Sequence, residues 1–307
     1  MKTPEWFLNK NIISYSLLPL SILYFCFSKI VYFFRLLFVF KSNRKIICVG
    51  NIFAGGIGKT PIVLSIAKKL KLPVVMRGYK KKKKDIGDEA KIFKNAGIDV
   101  LVGSRKNNIR TLNFCDKDKP ILMDDGFQNS TIKKDISILV FDEFIGLANG
   151  FILPAGPYRE ALSAIKRSDA IIIIKGITNK LEKKLNKYKK PIFFVENKTL
   201  IPPTKYQKII AFAGIGYPEK FFNSLKIKPI KTFSFPDHYE YKNKDLDNLL
   251  DFAEKEKASL ITTEKDWVKF PDDYKNKINF AILDTKIENK FWIWLKGKIN
   301  DNSKKHN

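Results

Sequence analysis

The sequence predicts an α/β protein: a mostly parallel sheet with crossover helices, a second, smaller α/β domain, and an amino-terminal membrane-associated helix. Three observations carry this. Apolar runs at 46–50, 73–76, 98–102, 121–123, 136–141, 170–174 and 192–195 alternate with polar, helix-compatible segments, the rhythm of strands joined by crossover helices. The proline-bearing stretch around Pro191, Pro202 and Pro203 breaks that rhythm and suggests a linker near 197–207. Beyond it, 208–213, 230–233, 260–262 and 280–283 read as strands of a smaller unit, and the charged tail from Lys298 onward is expected to fray. Finally, residues 11–28 run uncharged for about 18 positions, near the lower length limit for crossing a hydrocarbon core.

The amino-terminal segment continues past Lys29 and Arg35 to apolar 36–40, contains Pro19, and is closed by Lys41, Arg44 and Lys45. The apolar part is too long for a signal peptide, and no small-residue cleavage site precedes Lys29. Three readings remain. The segment spans the membrane, lies in the interface with Trp6, Tyr15, Tyr24 and Tyr32 at headgroup level, or packs on the globular core. The interfacial helix is favoured over the span, and in both membrane readings the basic cluster places the chain beyond it in the cytoplasm.

Residues 46–60, IICVGNIFAGGIGKT, read as strand, glycine-rich turn and helix start, and the helix continues as PIVLSIAKKL. Backbone N–H groups of such a turn and the positive end of the helix dipole cradle phosphates. Lys59 then reaches the terminal phosphate oxygens and the Thr60 hydroxyl ligates Mg²⁺. The candidate nucleotide-binding residues are Phe53, Ala54, Gly55, Gly56, Ile57, Gly58, Lys59 and Thr60. Phe53 stands where the generic pattern has glycine. The expected organisation is an apolar helix over 1–40, a P-loop nucleotide-binding domain over 41–200, and a smaller α/β domain over 201–307.

Residues 121–125 form an apolar strand ending in Asp124 and Asp125, the way a strand beside a phosphate loop presents an acid to Mg²⁺. Such pairs also serve as caps, and spacing does not choose between the two acids. Arg77-Gly78-Tyr79 follows the next strand, and Gly87-Asp88-Glu89 opens a helix at the edge where a phosphate-loop protein binds ligands; the helix dipole favours acids there in any case. In 153–160, LPAGPYRE, a rigid loop sets Arg159 beside Glu160. The pair either forms a salt bridge or neutralises phosphate charge and assists a metal. His238, in FPDH at 235–238, is the one histidine besides His306.

Composition narrows the partners. A net charge of +26, from 57 Lys+Arg against 31 Asp+Glu, attracts anionic surfaces, whether nucleic acid, acidic lipid or phosphorylated small molecules. Much of it is lysine of the kind AT-rich coding produces, and no nucleic-acid motif accompanies it, so no nucleic acid is expected, nor an obligate protein partner. Cys26, Cys48 and Cys115 are scattered in or beside apolar segments, which fits a reducing compartment without a disulfide framework.

Together, GN-x3-GG-x-GKTP at 50–61, RGY at 77–79, GDE at 87–89, DDGFQ at 124–128, NG-x2-LPAGP-x-RE at 149–160, FPDH at 235–238 and TTEKD at 262–266 resemble the tetraacyldisaccharide 4'-kinases, the lipid A 4'-kinases of Gram-negative bacteria. The motifs are in order and span nearly the whole chain. The resemblance implies an enzyme on the cytoplasmic face of the inner membrane, with ATP and Mg²⁺ as cofactors. It would transfer the γ-phosphoryl of ATP to the 4'-hydroxyl of tetraacyldisaccharide 1-phosphate, giving lipid IVA. It further implies Asp88 as general base, His238 orienting it, Asp125 and Glu160 at the metal, and Lys59 and Thr60 in their phosphate-loop roles. The sequence departs from the family in carrying Asn129 where a histidine usually follows DDG-x-Q, and a short lysine run at 80–84 in place of a longer glycine-containing loop. The alternative is a membrane-associated P-loop ATPase or GTPase switch; Asn179-Lys180-Leu181-Glu182 resembles a guanine-reading motif only superficially.

Overall fold

The structure is a computed structural model that describes residues 4–78, 87–113, 119–176, 178 and 180–301. Tyr79, the 80–84 run, Cys115, Asn179 and His306 lie outside the described residues. The chain divides into two compact units, residues 4–196 with 286–301 and residues 197–285.

The first unit is built on β1 (Ile46–Gly50), β2 (Val74–Arg77), β3 (Val100–Gly103), β4 (Ile121–Asp124), β5 (Ile136–Asp142), β6 (Ala170–Ile174) and the first part of β7 (Ile192–Leu200). The order is β3-β2-β4-β1-β5-β6-β7, every pairing parallel. Ile46, Ile47, Cys48 and Val49 are fully buried, as a central parallel strand covered on both faces requires. The chain leaves β1 toward β2 on one side and returns through β4 to β5 on the other. Connections therefore diverge around β1, and such a switch point is where open parallel sheets bind ligands. β7 runs on to Leu200, so the irregular connection occupies 201–207, the part of the expected 197–207 linker that holds Pro202 and Pro203.

The second unit carries β8 (Lys208–Ala213), β9 (Lys231–Ser234), β10 (Ala258–Thr263) and β11 (Asn279–Ile287), in the order β11-β10-β8-β9 and again parallel. The period-two alternation of β8 feeds two cores. Ile210 and Phe212 pack with Leu246, Leu249 and Phe270, while Ile209, Ala211 and Ala213 pack with Phe222 and Leu225.

Residues 286–301 pack in the first unit. Phe291 sits edge-on to Phe193 at 5.5 Å, and the tail expected to fray from Lys298 is helical through Asn300. Lys45 Nζ donates to the Ile299 and Asp301 carbonyls at 2.5 and 2.6 Å, which anchors that helix end.

At the amino terminus, short helices Glu5–Leu8 and Ile12–Ser16 precede a 19-residue helix, Leu18–Leu36. Pro19 falls in its first turn, where a missing N–H costs nothing, so it starts the helix rather than interrupting it. The burial is inverted relative to a soluble amphipathic helix. The buried residues of this segment are Ser14 and Ser21, while Ile22, Leu23, Phe27, Ile30, Phe33 and Phe34 are all more than half exposed. By length and composition the helix is apolar enough to cross a membrane, and it is not a core helix. The basic cluster after it is partly spent internally. Arg44 is 4% exposed and donates to the Lys119 and Leu112 carbonyls at 2.6 and 2.7 Å, so two of the three residues of the basic cluster, Arg44 and Lys45, are bonded to backbone carbonyls.

Candidate active site

The loop leaving β1 reaches its helix through Gly58, whose φ of 79° is the left-handed conformation glycine adopts without strain. Gly55 and Gly56 form the exposed crest. The side chains of Phe53 and Ile57 turn inward and are buried. Phe53 meets Phe141 and Tyr158 edge-on at 6.0 and 4.9 Å, which accounts for a large side chain at the generic glycine position: it anchors the loop to the core and leaves only backbone for a phosphate. The loop is also tied to 157–159, with Ala54 N–H donating to the Pro157 carbonyl and Arg159 N–H to the Ile52 carbonyl, both at 2.7 Å. Lys59 and Thr60 open the helix Lys59–Leu70, and its N-terminal N–H groups face the same edge.

Parallel register sets Val49 opposite Asp124, so the acid-ending strand abuts the loop-bearing one. Asp125 turns out of the strand with φ 50°, its N–H held by the Val49 carbonyl at 2.9 Å. Its carboxylate lies between Lys59 Nζ at 3.2 Å and Arg159 Nη1 at 2.9 Å. Burial alone would raise the Asp125 pKa, but those two cations outweigh it and hold the group at about 2. Asp124 is 3% exposed and its Oδ1 has no hydrogen-bond partner. Burial, reinforced by Glu89 and Asp125, pushes its pKa up against the pull of Lys59 and Arg105. Glu160 accepts from Arg167 Nη2 at 2.7 Å through Oε2, leaving Oε1 buried and unpartnered.

These orphaned oxygens suit a divalent cation. Among the described residues no three His, Cys, Asp or Glu side chains cluster as a self-sufficient metal cage. A nucleotide-bound Mg²⁺ does not require such a cage, since one or two carboxylates and the nucleotide phosphates complete its shell. Thr60, Asp124, Asp125 and Glu160 remain the residues available for it.

Asp88 is the first residue of the helix Asp88–Asn95. Because that helix crosses over between parallel β2 and β3, it begins at the carboxyl edge of the sheet. Glu89 is near enough to Asp124 to raise its pKa. In the second unit, β9 leads into FPDH and β10 into TTEKD, and the two motifs meet. Lys265 Nζ is 3.2 Å from His238 Nε2 and 3.6 Å from Asp237 Oδ1. Thr263 caps the next helix, and the fully buried Asp266 accepts from Gly214 N–H at 2.8 Å and Lys269 Nζ at 2.7 Å. Gly214 in turn holds His238 N–H through its carbonyl at 3.1 Å. His238 takes φ 58° with its ring about half exposed.

Two site residues have no motif to announce them. Arg105, just after the glycine ending β3, donates from Nη2 to the Asp124 and Asp125 carbonyls at 2.8 and 2.9 Å and so fixes the turn carrying both acids. Asn51 Oδ1, with its amide oriented to satisfy both ends, accepts from Lys59 Nζ at 3.2 Å. Asn129, where the family pattern has histidine, accepts from Thr131 N–H and Oγ at 3.0 and 2.7 Å and closes its own turn.

Comparison with known proteins agrees with this geometry. The family model for tetraacyldisaccharide-1-P 4'-kinase matches residues 13–300. The tetraacyldisaccharide 4'-kinase of Rickettsia conorii is 34% identical over 310 residues, covering 92% of this chain and 93% of the relative. That of Rickettsia felis is 33% identical, covering 93% of each. The crystal structure of LpxK from Aquifex aeolicus in complex with ATP is similar with a TM-score of 0.69 at 25% identity, covering 94% of this chain and 99% of that one. A phosphate loop, the acid pair beside it and this extent of similarity make the chain a member of the tetraacyldisaccharide-1-P 4'-kinase family.

Proposed function

We propose that this chain transfers the γ-phosphoryl group of ATP to the 4'-hydroxyl of tetraacyldisaccharide 1-phosphate, giving lipid IVA, on the cytoplasmic face of the inner membrane of a Gram-negative bacterium. The observation that carries the reading is the Val49–Asp124 register, which sets a phosphate loop against a paired acid within a chain matched by the family over 13–300. The similar Aquifex aeolicus structure is itself a complex with ATP.

Phosphoryl transfer to an alcohol is catalysed mainly by positioning and charge neutralisation. Lys59 and the loop N–H groups grip the terminal phosphates, and Arg159 offsets charge on the transferring group. In the free protein Lys59 and Arg159 are both held by Asp125, which keeps them ordered until phosphate oxygens compete for them. Thr60 with one or two of Asp124, Asp125 and Glu160 would hold Mg²⁺, which supplies charge neutralisation on the phosphate oxygens when bound. Asp88 accepts the proton of the sugar hydroxyl as the P–O bond forms, and His238 orients Asp88. The Lys265 ammonium faces His238 Nε2, which favours the tautomer carrying its proton on Nδ1. The exposed apolar helix would seat the enzyme where its acyl-chain substrate resides, with no nucleic acid or obligate protein partner required.

Thin-layer separation of a reaction with γ-labelled ATP and the disaccharide acceptor tests the assignment. Label in a more phosphorylated glycolipid is the expected result. Label released only as inorganic phosphate, with or without acceptor, would favour the ATPase or GTPase switch instead. The structure gives that rival little support, since Lys180–Leu185 is helical rather than a strand end.

A further inference from the structure

The role of Glu160 at the cation leaves one question open: what holds its carboxylate. We infer that Arg167 is the positioning residue for Glu160 and that Tyr32, from the exposed apolar helix, is part of the clamp that orients it. The inference rests on the reading of Glu160 given above. Arg167 ends a short 3-10 helix, Leu162–Arg167, and its Nη2 donates to Glu160 Oε2 at 2.7 Å. Its guanidinium also lies over two aromatic rings, Phe127 of DDGFQ at 4.9 Å and Tyr32 at 5.3 Å. A planar guanidinium against two rings has few orientations open to it, so its fork stays fixed toward the carboxylate. Because Arg167 occupies Oε2, the buried Oε1 is the oxygen left to coordinate. Lys134 reinforces the pocket, donating to the Phe127 and Asn129 carbonyls at 3.3 and 2.5 Å and so tying down the backbone that carries the ring on which Arg167 rests.

The consequence is that the apolar helix does more than attach the enzyme to lipid. Tyr32 is half-buried within a helix whose other large side chains are mostly exposed, and its ring lies against the Arg167 guanidinium that bonds Glu160. Lysine at 167 would keep the charge while losing both the fork and the stacking plane.

The test is an equilibrium titration of ATP binding against Mg²⁺ on the full-length protein in detergent micelles, with ATP binding in EDTA as reference. Outer-shell partners of metal ligands are worth about 10-fold or more in metal affinity. Arg167→Ala and Arg167→Lys should each raise the half-saturating Mg²⁺ by about 10-fold with the EDTA affinity unchanged. Tyr32→Leu should move it in the same direction, and Tyr32→Phe should restore the wild-type midpoint. Adding Arg167→Ala to Glu160→Gln should shift the midpoint no further. A wild-type midpoint in both Arg167 variants beside a shifted Glu160→Gln would overturn the inference, as would shifts that multiply in the double variant. If Glu160→Gln itself left the midpoint in place, the assignment of Glu160 to the cation would fall, and the inference with it.

Discussion

Replacing Asp125 by Asn isolates the charge at the centre of the site. Asparagine tolerates the left-handed backbone at φ 50° nearly as well as aspartate, and the N–H bond to the Val49 carbonyl is kept. What is lost is the carboxylate between Lys59 and Arg159. Its pKa falls from 3.8 to about 2 on folding, because the two cations outweigh the cost of burial. A depressed folded-state pKa contributes stability that is full above the unfolded value and lost as pH falls through the folded one. The shift corresponds to about 2.5 kcal/mol at pH 7 and roughly half of that at pH 3. Urea unfolding in micelles, wild type against Asp125→Asn at each pH, cancels the effect of the large positive net charge on both proteins. The expected gap is about 2 kcal/mol at pH 7, narrowing toward pH 3. A variant as stable as wild type at pH 7 would mean that desolvation cancels the ion pairs. A gap independent of pH would mean that it does not arise from the carboxylate's charge.

Three other outcomes are expected. Asp88→Ala and Lys59→Ala should each lower kcat at least ~100-fold in the lipid phosphorylation assay, the size of lost proton transfer or charge stabilisation; near-normal turnover by Asp88→Ala would remove it as the base. Deleting residues 1–40, or placing glutamate at both Phe27 and Phe33, should abolish cosedimentation with anionic vesicles, and a protein that still sediments at moderate salt docks through another surface. Arg44→Met should cost about 2–4 kcal/mol in unfolding, because two buried carbonyls lose a charged donor, while vesicle binding is retained; the reverse pattern would place Arg44 at the membrane after all.

What was legible in the sequence has a local cause. β1, its loop and the helix from Lys59 are contiguous, and Asp124 and Asp125 end an apolar run, so periodicity and turn chemistry expose both. Arg105 and Arg167 act through approaches made only in three dimensions, onto the end of β4 and onto Glu160, and nothing near them in sequence distinguishes them from other basic residues. Arg44 shows the converse. A basic residue after an apolar segment reads as a membrane flank, yet its neighbours in the fold are carbonyls. The apolar helix was expected from the uncharged run at 11–28, but it extends from Leu18 to Leu36. Pro19 suits a helix start, and Lys29 and Arg35 can lie on the exposed surface without ending it.

Residues 149–160 connect these observations. Asn149 Nδ2 donates to the Trp6 carbonyl at 2.6 Å, and Trp6 Nε1 donates to the Pro154 carbonyl at 3.3 Å. Ser21 Oγ donates to the Ile152 carbonyl at 2.9 Å and accepts from Ala155 N–H at 3.0 Å, which is why serine is the buried residue of an otherwise apolar helix. A few residues on, the same segment bonds Ile52 and Ala54, packs Tyr158 on Phe53 and delivers Arg159 to Asp125. Gly156 is required there, since any Cβ would collide with the Asn149 side chain and the Phe151 carbonyl. Most of these links end on backbone, which has fewer rotamers to absorb a displacement than a chain of side chains has. For a helix seated in a bilayer, the loop therefore fixes the attitude of the phosphate loop toward the surface from which the sugar hydroxyl must arrive. That accounts for one segment carrying both the rigid LPAGP turn and the Arg159–Glu160 pair.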